Sequence, residues 1–331
     1  MTVPAPPHDR RPPRARRSVL AVPGSSTRMI DKSRGLPVDV LFLDLEDAVA
    51  EGAKATARDH VVAALREGGW HAPTVTVRVN GWASAHTLAD VSAVVQGAGD
   101  RVDALVLPKA SDPSHVRALD LVLGQLERVA GLPEGRIGLE VQVEDASGLL
   151  HAPALAAASP RVESLVLGPA DLMADLGMRS LDVGEQPDGY APGDAHHHTL
   201  LSILVAARAH GVHAVDGPYL QVRDVEGFRR HARRSAALGY DGKWVLHPDQ
   251  VDVCNEVFSP SQAAYERAED VLDALAWFAS PDGGGRGAAM LGDEMVDAAS
   301  AAMARRVVAA GRAAGLQRAR AWTPPDDVTG P

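Results

Sequence analysis

The chain is nearly without cysteine: Cys254 is the only one in 331 residues. A single thiol cannot close an internal disulfide, and no cysteine pair exists to begin a structural zinc site, so a reducing, cytoplasmic setting is expected. A basic excess is also missing. Acidic residues number 43 against 33 basic ones, a formal net charge of −10, which argues against a general nucleic-acid binder because phosphate recognition needs a basic surface. Small molecules are the expected partners. No apolar run approaches the roughly 18 residues of a membrane span, and the stretch from Ser18 to Val22, stopped by Pro23 and Gly24, is too short for a signal-peptide core. Neither membrane nor nucleic acid is therefore expected. Lysine is scarce as well: Lys32, Lys54, Lys109 and Lys243 are the only four among the 33 basic residues, a skew that alanine abundance marks as coding bias.

What is present is balanced. Hydrophobic residues make up 46% and charged residues 23% of the chain, proportions that argue against wholesale disorder or a fibrous repeat. Residues 1–17 are rich in proline and arginine and lack periodicity, so they read as an unpacked tail, the alternative being a role for Arg14, Arg16 or Arg17 near an anionic ligand. From Ser18 onward, short β-branched runs alternate with helical stretches: SVLAV (18–22), VLFLDL (40–45), TVTVRVN (74–80), ALVLPK (104–109), IGLEVQVE (137–144), SLVLG (164–168), VHAVD (212–216) and GKWVLHP (242–248). Eight near-continuous apolar strands, each followed by a helical segment, predict an α/β fold of the (β/α)8 barrel type over 18–257, with an open doubly wound sheet as the alternative. The glycine- and proline-bearing interval 179–198 is long enough for a lid or an interface. Residues 258–331 read as a helical lid or oligomerisation segment, with a flexible PDGGGRG between two helices.

Polar residues stand where the predicted strands stop, and in a barrel those ends converge on one face. Glu144 and Asp171 follow adjacent strands, which lie about 4.8 Å apart, so their carboxylates could share one hard cation such as magnesium, with waters and substrate oxygens completing the shell. Equally, either acid could cap the helix that follows it. Arg78 sits in an otherwise apolar strand and needs an anionic partner, either a substrate carboxylate or the acids of the DLED segment. Those acids, Asp44, Glu46 and Asp47, could orient Arg78 or waters on a metal. Lys109 opens a metal-free alternative through a Schiff base, against a plain orienting or phosphate-facing ammonium. His196, His197 and His198 cannot readily converge on one ion; His247 reads as structural, and Cys254 as a buried, inert thiol.

Several ordered segments, RSVLAVPGSS (17–26), FLDLEDAVAEGAKATAR (42–58), VRVNG (77–81), LVLPKA (105–110), VEDASG (143–148), LGPADLMADLG (167–177), AVDGPY (214–219), LGYDGKWVLHPDQV (238–251) and MVD (295–297), give the chain a specific likeness. From Arg17 to about Arg305 it resembles the citrate lyase β-subunit-like branch of the HpcH/HpaI aldolase family, and within that branch the malyl-CoA and β-methylmalyl-CoA lyases. The resemblance implies a (β/α)8 barrel with Mg2+ held by Glu144 and Asp171. It also implies Arg78 on the carboxylate or oxyanion region of the substrate; Lys109, from its place at a strand end, is expected as a further substrate contact. The substrates would be a CoA thioester and a small 2-oxo acid, and the assembly a homotrimer or homohexamer. Asp297 aligns with the aspartate of the family's Met-(Ile/Val)-Asp motif, which reaches a neighbouring subunit's active site as acid/base. The implied reaction is retro-aldol cleavage of a 3-hydroxyacyl-CoA to glyoxylate and a short acyl-CoA. Its alternatives are malyl-CoA hydrolysis, citramalyl-CoA or citryl-CoA cleavage, and a non-catalytic acyl-CoA-binding subunit. Two departures stand out: Glu144-Asp145 replaces the usual Glu-Thr, and the loop after strand six differs.

Overall fold

A computed structural model describes residues 14–191 and 193–324. The chain divides after Phe258 into two compact units. In the first, eight parallel strands close into a barrel: β1 (Ser18–Pro23), β2 (Val40–Asp44), β3 (Thr74–Arg78), β4 (Ala104–Leu107), β5 (Gly138–Val143), β6 (Val162–Leu167), β7 (His213–Asp216) and β8 (Gly242–Val245). The pairing of β1 with β8 excludes the open doubly wound sheet. Helices α1 (Thr27–Ser33), α2 (Lys54–Glu67), α3 (Thr87–Ala98), α4 (Pro113–Val129), α5 (Ala146–Ala157), α6 (Pro169–Asp175), α7 (His197–Ala209), α8 (Val225–Leu238) and α9 (Val251–Val257) connect or follow the strands.

The near-continuous apolar strands follow from burial on both faces. Leu41, Leu43, Leu105 and Leu107 pack outward with the helices, each worth about 1.5–3 kcal/mol when removed from water. Val19, Val40, Phe42, Val106, Val166, Val215 and Trp244 fill the barrel itself. Phe42 and Trp244 meet with ring centroids 4.4 Å apart. Their rings form an aromatic floor beneath Arg78, whose guanidinium carbon lies 5.8 Å and 5.4 Å from the two centroids.

Three expectations need correction, two of them in this unit. The tail expectation falls on residues 1–13, outside the described residues, and on Arg14 to Arg17, which are packed. Arg16 is buried and forms ion pairs with Glu140 at 2.9 Å and Glu163 at 2.7 Å. Arg17 grips Asp39 with two hydrogen bonds of 2.8 Å, and Arg14 lies 3.2 Å from Asp103. Composition could not show this because the partners lie on distant strands and loops. A Cβ at Gly242, the first residue of β8, would collide with the Arg16 carbonyl, so glycine lets this segment seal the barrel's N-terminal end. The strand ends were also read too long: β3, β4 and β8 stop before Asn80, Lys109 and His247.

The second unit contains α10 (Gln262–Phe278), a hairpin of β9 (Ala289–Leu291) and β10 (Glu294–Val296), and α11 (Ala298–Ala313). The hairpin replaces the purely helical arrangement expected. Tyr265, Val271, Phe278, Val296 and Val308 form this unit's own core. Among the described residues, no helix is long and apolar enough to cross a membrane.

Candidate active site

At the C-terminal ends of β2 to β6 the barrel opens into a cleft of about 690 Å³, lined by Glu46, Asp47, Lys54, Asn80, Trp82, Lys109, Glu144 and Asp171 among others. Parallel register places Asp44 directly beside Arg78. Arg78 donates through Nε and Nη2 to both Asp44 oxygens at 2.8 and 2.7 Å. Its third nitrogen, Nη1, lies 2.9 Å from Glu46 Oε2 and 3.7 Å from Asp47. The planar fork is therefore engaged along one edge by Asp44, and only the Nη1 edge faces the other acids. Burial alone would lower the Arg78 pKa, but the hydrogen bonds and charges of Asp44, Glu46 and Asp47 outweigh it and keep the guanidinium firmly protonated.

Lys109 follows β4 with φ of 52°, the only non-glycine among the described residues in the left-handed region. Such a backbone is uncommon for a side chain of this length and persists where its surroundings fix it. The bend aims its amide N–H at Glu144 Oε1, 2.6 Å away, while its ammonium donates to Glu46 at 2.6 Å and Asp47 at 3.2 Å. Burial lowers the Lys109 pKa, yet Glu46 and Asp47 more than reverse this and hold it above the ordinary lysine value. A Schiff-base lysine needs a neutral amine at working pH, so this environment opposes the metal-free alternative.

Glu144 is 2% exposed. Burial first, then the Glu46 charge and that of Asp171, push its carboxyl up to about 8, against the lowering effect of the Lys109 amide. The Gln142 amide also donates to it. Gly168 makes room for this carboxylate, since a Cβ there would fall on Glu144 itself. Glu46 Oε2 is buried and meets only the Arg78 guanidinium, by charge rather than by a well-formed hydrogen bond, and burial raises the Glu46 pKa as well. Asp171 lies in the first turn of α6 but does not cap it; the N-cap is Gly168 and no side-chain cap bond is made. The oxygens of Glu144 and Asp171, hard in character, fit a hard divalent cation. Among the described residues no group of three or more His, Cys, Asp or Glu side chains could hold an ion, so the fit is to two carboxylates with the remaining positions left to water and substrate.

The other residues fall into place around this cleft or away from it. Asp145 caps α5, accepting from Gly148 N at 2.6 Å. Asp297 lies in the second unit and caps α11, where backbone amides of Ser300 and Ala299 hold its carboxylate below the ordinary range. His196 is buried with Nε2 3.0 Å from the Glu185 carbonyl, and His247 Nδ1 accepts from Asp249 N at 3.3 Å. Cys254 is buried and its thiol pKa is pushed well up by burial. None of the described residues of the 179–198 loop lines the cleft. Sequence reasoning missed Lys54, which lines it from the start of α2; its rarity as one of four lysines was the available signal.

A barrel of this kind with acids and cations gathered at its C-terminal mouth defines a class of enzyme before it defines a family. The family model HpcH/HpaI aldolase/citrate lyase matches residues 17–248. The chain belongs to the HpcH/HpaI aldolase/citrate lyase family, and it is an enzyme of the lyase class. It is 37% identical over 305 residues to an L-malyl-CoA/β-methylmalyl-CoA lyase of Cereibacter sphaeroides, covering 90% of this chain and 95% of that one. It is 36% identical over 304 residues to a (3S)-malyl-CoA thioesterase of the same species, covering 92% and 97%. Among solved structures, CitE from Mycobacterium tuberculosis in complex with magnesium, acetoacetate and coenzyme A is 30% identical, with a TM-score of 0.67 over 91% of this chain and 98% of that one.

Proposed function

We propose that this protein is a Mg2+-dependent carbon–carbon lyase that cleaves a 3-hydroxyacyl-CoA, such as malyl-CoA or β-methylmalyl-CoA, to glyoxylate and a short acyl-CoA. The observation that carries the proposal is Glu144: a buried carboxyl that lines the cleft with Asp171, Glu46 and Lys109, at the end of the barrel where Arg78 closes β3. Glu144 and Asp171 would hold the magnesium, which when bound supplies Lewis acidity toward the oxygen that becomes the glyoxylate carbonyl. Arg78 and Lys109 provide positive charge for the substrate carboxylate and the thioester oxygen, with Asp44, Glu46 and Asp47 fixing where those charges stand. A base takes the hydroxyl proton, the bond between the carbinol and the α-carbon breaks, its electron pair enters the thioester enolate, and a proton returns to that carbon. Asp297 is proposed for the proton transfers, in trans from the neighbouring subunit of a homotrimer or homohexamer.

Incubation with a panel of CoA thioesters, with magnesium or EDTA, tests the reaction by following free thiol, glyoxylate and pyruvate together. Glyoxylate without free thiol is expected. Free thiol from malyl-CoA would select hydrolysis, the reading favoured by the thioesterase relative, and pyruvate from citramalyl-CoA would move the substrate assignment. Turnover by the purified chain alone rejects a merely binding subunit. Mixing Asp297→Asn chains with Glu144→Gln chains should restore activity at interfaces that pair an intact barrel with an intact Asp297. Absence of recovery in verified mixed oligomers removes the trans assignment.

A further inference from the structure

We infer that Lys54 is a positioning residue for the acidic segment 44–47, acting through the backbone of Glu46; the inference rests on the proposed roles of Arg78 and Lys109. Lys54 is 7% exposed at the first position of α2. Its ammonium donates to the carbonyls of Leu45 and Glu46 at 2.8 and 2.7 Å and to Asn80 Oδ1 at 2.8 Å. All three of its donors are thus used on neutral acceptors. A desolvated ammonium with no carboxylate in that set is costly, and a turn needing only closure could be held by uncharged groups.

The partners of Lys54 are themselves fixed. Asn80 donates through its side-chain amide to the Leu45 carbonyl at 2.9 Å and to Asp90 at 2.6 Å, and its backbone N–H reaches Asp90 at 2.9 Å. Asp90 is fully buried and also receives Arg58 at 3.0 Å. Glu46 is in turn held at both ends, by its amide on Asp44 Oδ1 at 2.9 Å and by its carbonyl on Lys54. Its side chain then spans the gap to Lys109 and Arg78. Removing the ammonium leaves the Leu45 carbonyl to Asn80 and the Glu46 carbonyl to the Val49 amide at 3.0 Å, so the tie that joins these two carbonyls to Asn80 is lost, and with it the restraint that sets the reach of Glu46 toward Arg78 and Lys109.

Lys54→Ala and the near-isosteric Lys54→Met test this. Both should show faster hydrogen exchange at the Glu46 to Ala48 amides, by about tenfold or more, a readout that needs no substrate. Turnover should fall on the order of 10²-fold, as misplacement of reacting groups does, and propylammonium should restore at least part of it to Lys54→Ala while propanol does not. Wild-type turnover in the same assay reports separately on the proposed reaction. Wild-type exchange rates, wild-type turnover by Lys54→Met, or equal rescue by propanol would each overturn the inference, the last by reducing Lys54 to a space-filler. If Lys54→Ala does not fold, the exchange rates of Lys54→Met decide.

Discussion

The two ends of the barrel each bury an arginine among carboxylates, and they differ in what is left over. At the N-terminal end Arg16 meets Glu140 and Glu163 under the segment that precedes β1, with Gly242 allowing the backbone to close over them. At the C-terminal end Arg78 and Lys109 face Asp44, Glu46, Asp47, Glu144 and Asp171, and the cluster opens onto a cleft. One end is sealed, with two carboxylates around one arginine; the other gathers five carboxylates around two cations and borders a cleft. The same ingredients thus serve the fold where they are closed off, and chemistry where an acid remains short of a partner.

The comparison is broken most directly at Glu144. Glu144→Gln should lower turnover by at least about 10³-fold, since a preorganised charge-stabilising site is lost, while circular dichroism and the unfolding midpoint stay near wild type. Wild-type turnover at low magnesium would make the two ends equivalent. Next comes Arg78→Lys, expected to cost on the order of 10²-fold because an ammonium cannot grip both Asp44 oxygens and still face Glu46; steady-state kinetics checks it. Gly168→Ala should cost about tenfold in magnesium affinity, measured by titration calorimetry, because its Cβ displaces the Glu144 carboxylate. At the sealed end Arg16→Met should leave kcat of the folded protein unchanged but destabilise it by about 3–5 kcal/mol, the cost of stranding a buried charge. Denaturant unfolding beside kinetics would reveal any catalytic role there.

Much of this was legible in the sequence because barrel strands are written as unbroken apolar runs, and the acids and cations that interrupt them stand out. Arg78, Glu144 and Asp171 were found in that way. The pairing was only partly legible. The DLED acids stood as candidate partners for Arg78, but that Asp44 takes one edge of its fork is set by the β2–β3 register, and nothing local to Arg16 shows Glu140, which the barrel brings to it from β5. The hairpin at 289–296 was missed because strands of three residues carry too few alternations to be seen. The over-long strand ends have a different origin. Sequence pattern runs β4 straight through Lys109, whereas the chain bends there into a conformation that propensity disfavours.

That bend has a thermodynamic consequence. Through one residue, the amide of Lys109 answers to Glu144 and the ammonium answers to Glu46, so two acids that follow different strands share a single mechanical support. Their contributions are therefore cooperative. Removing either one relaxes the support on which the other depends, and the free energies of the two single substitutions will not sum to that of the double.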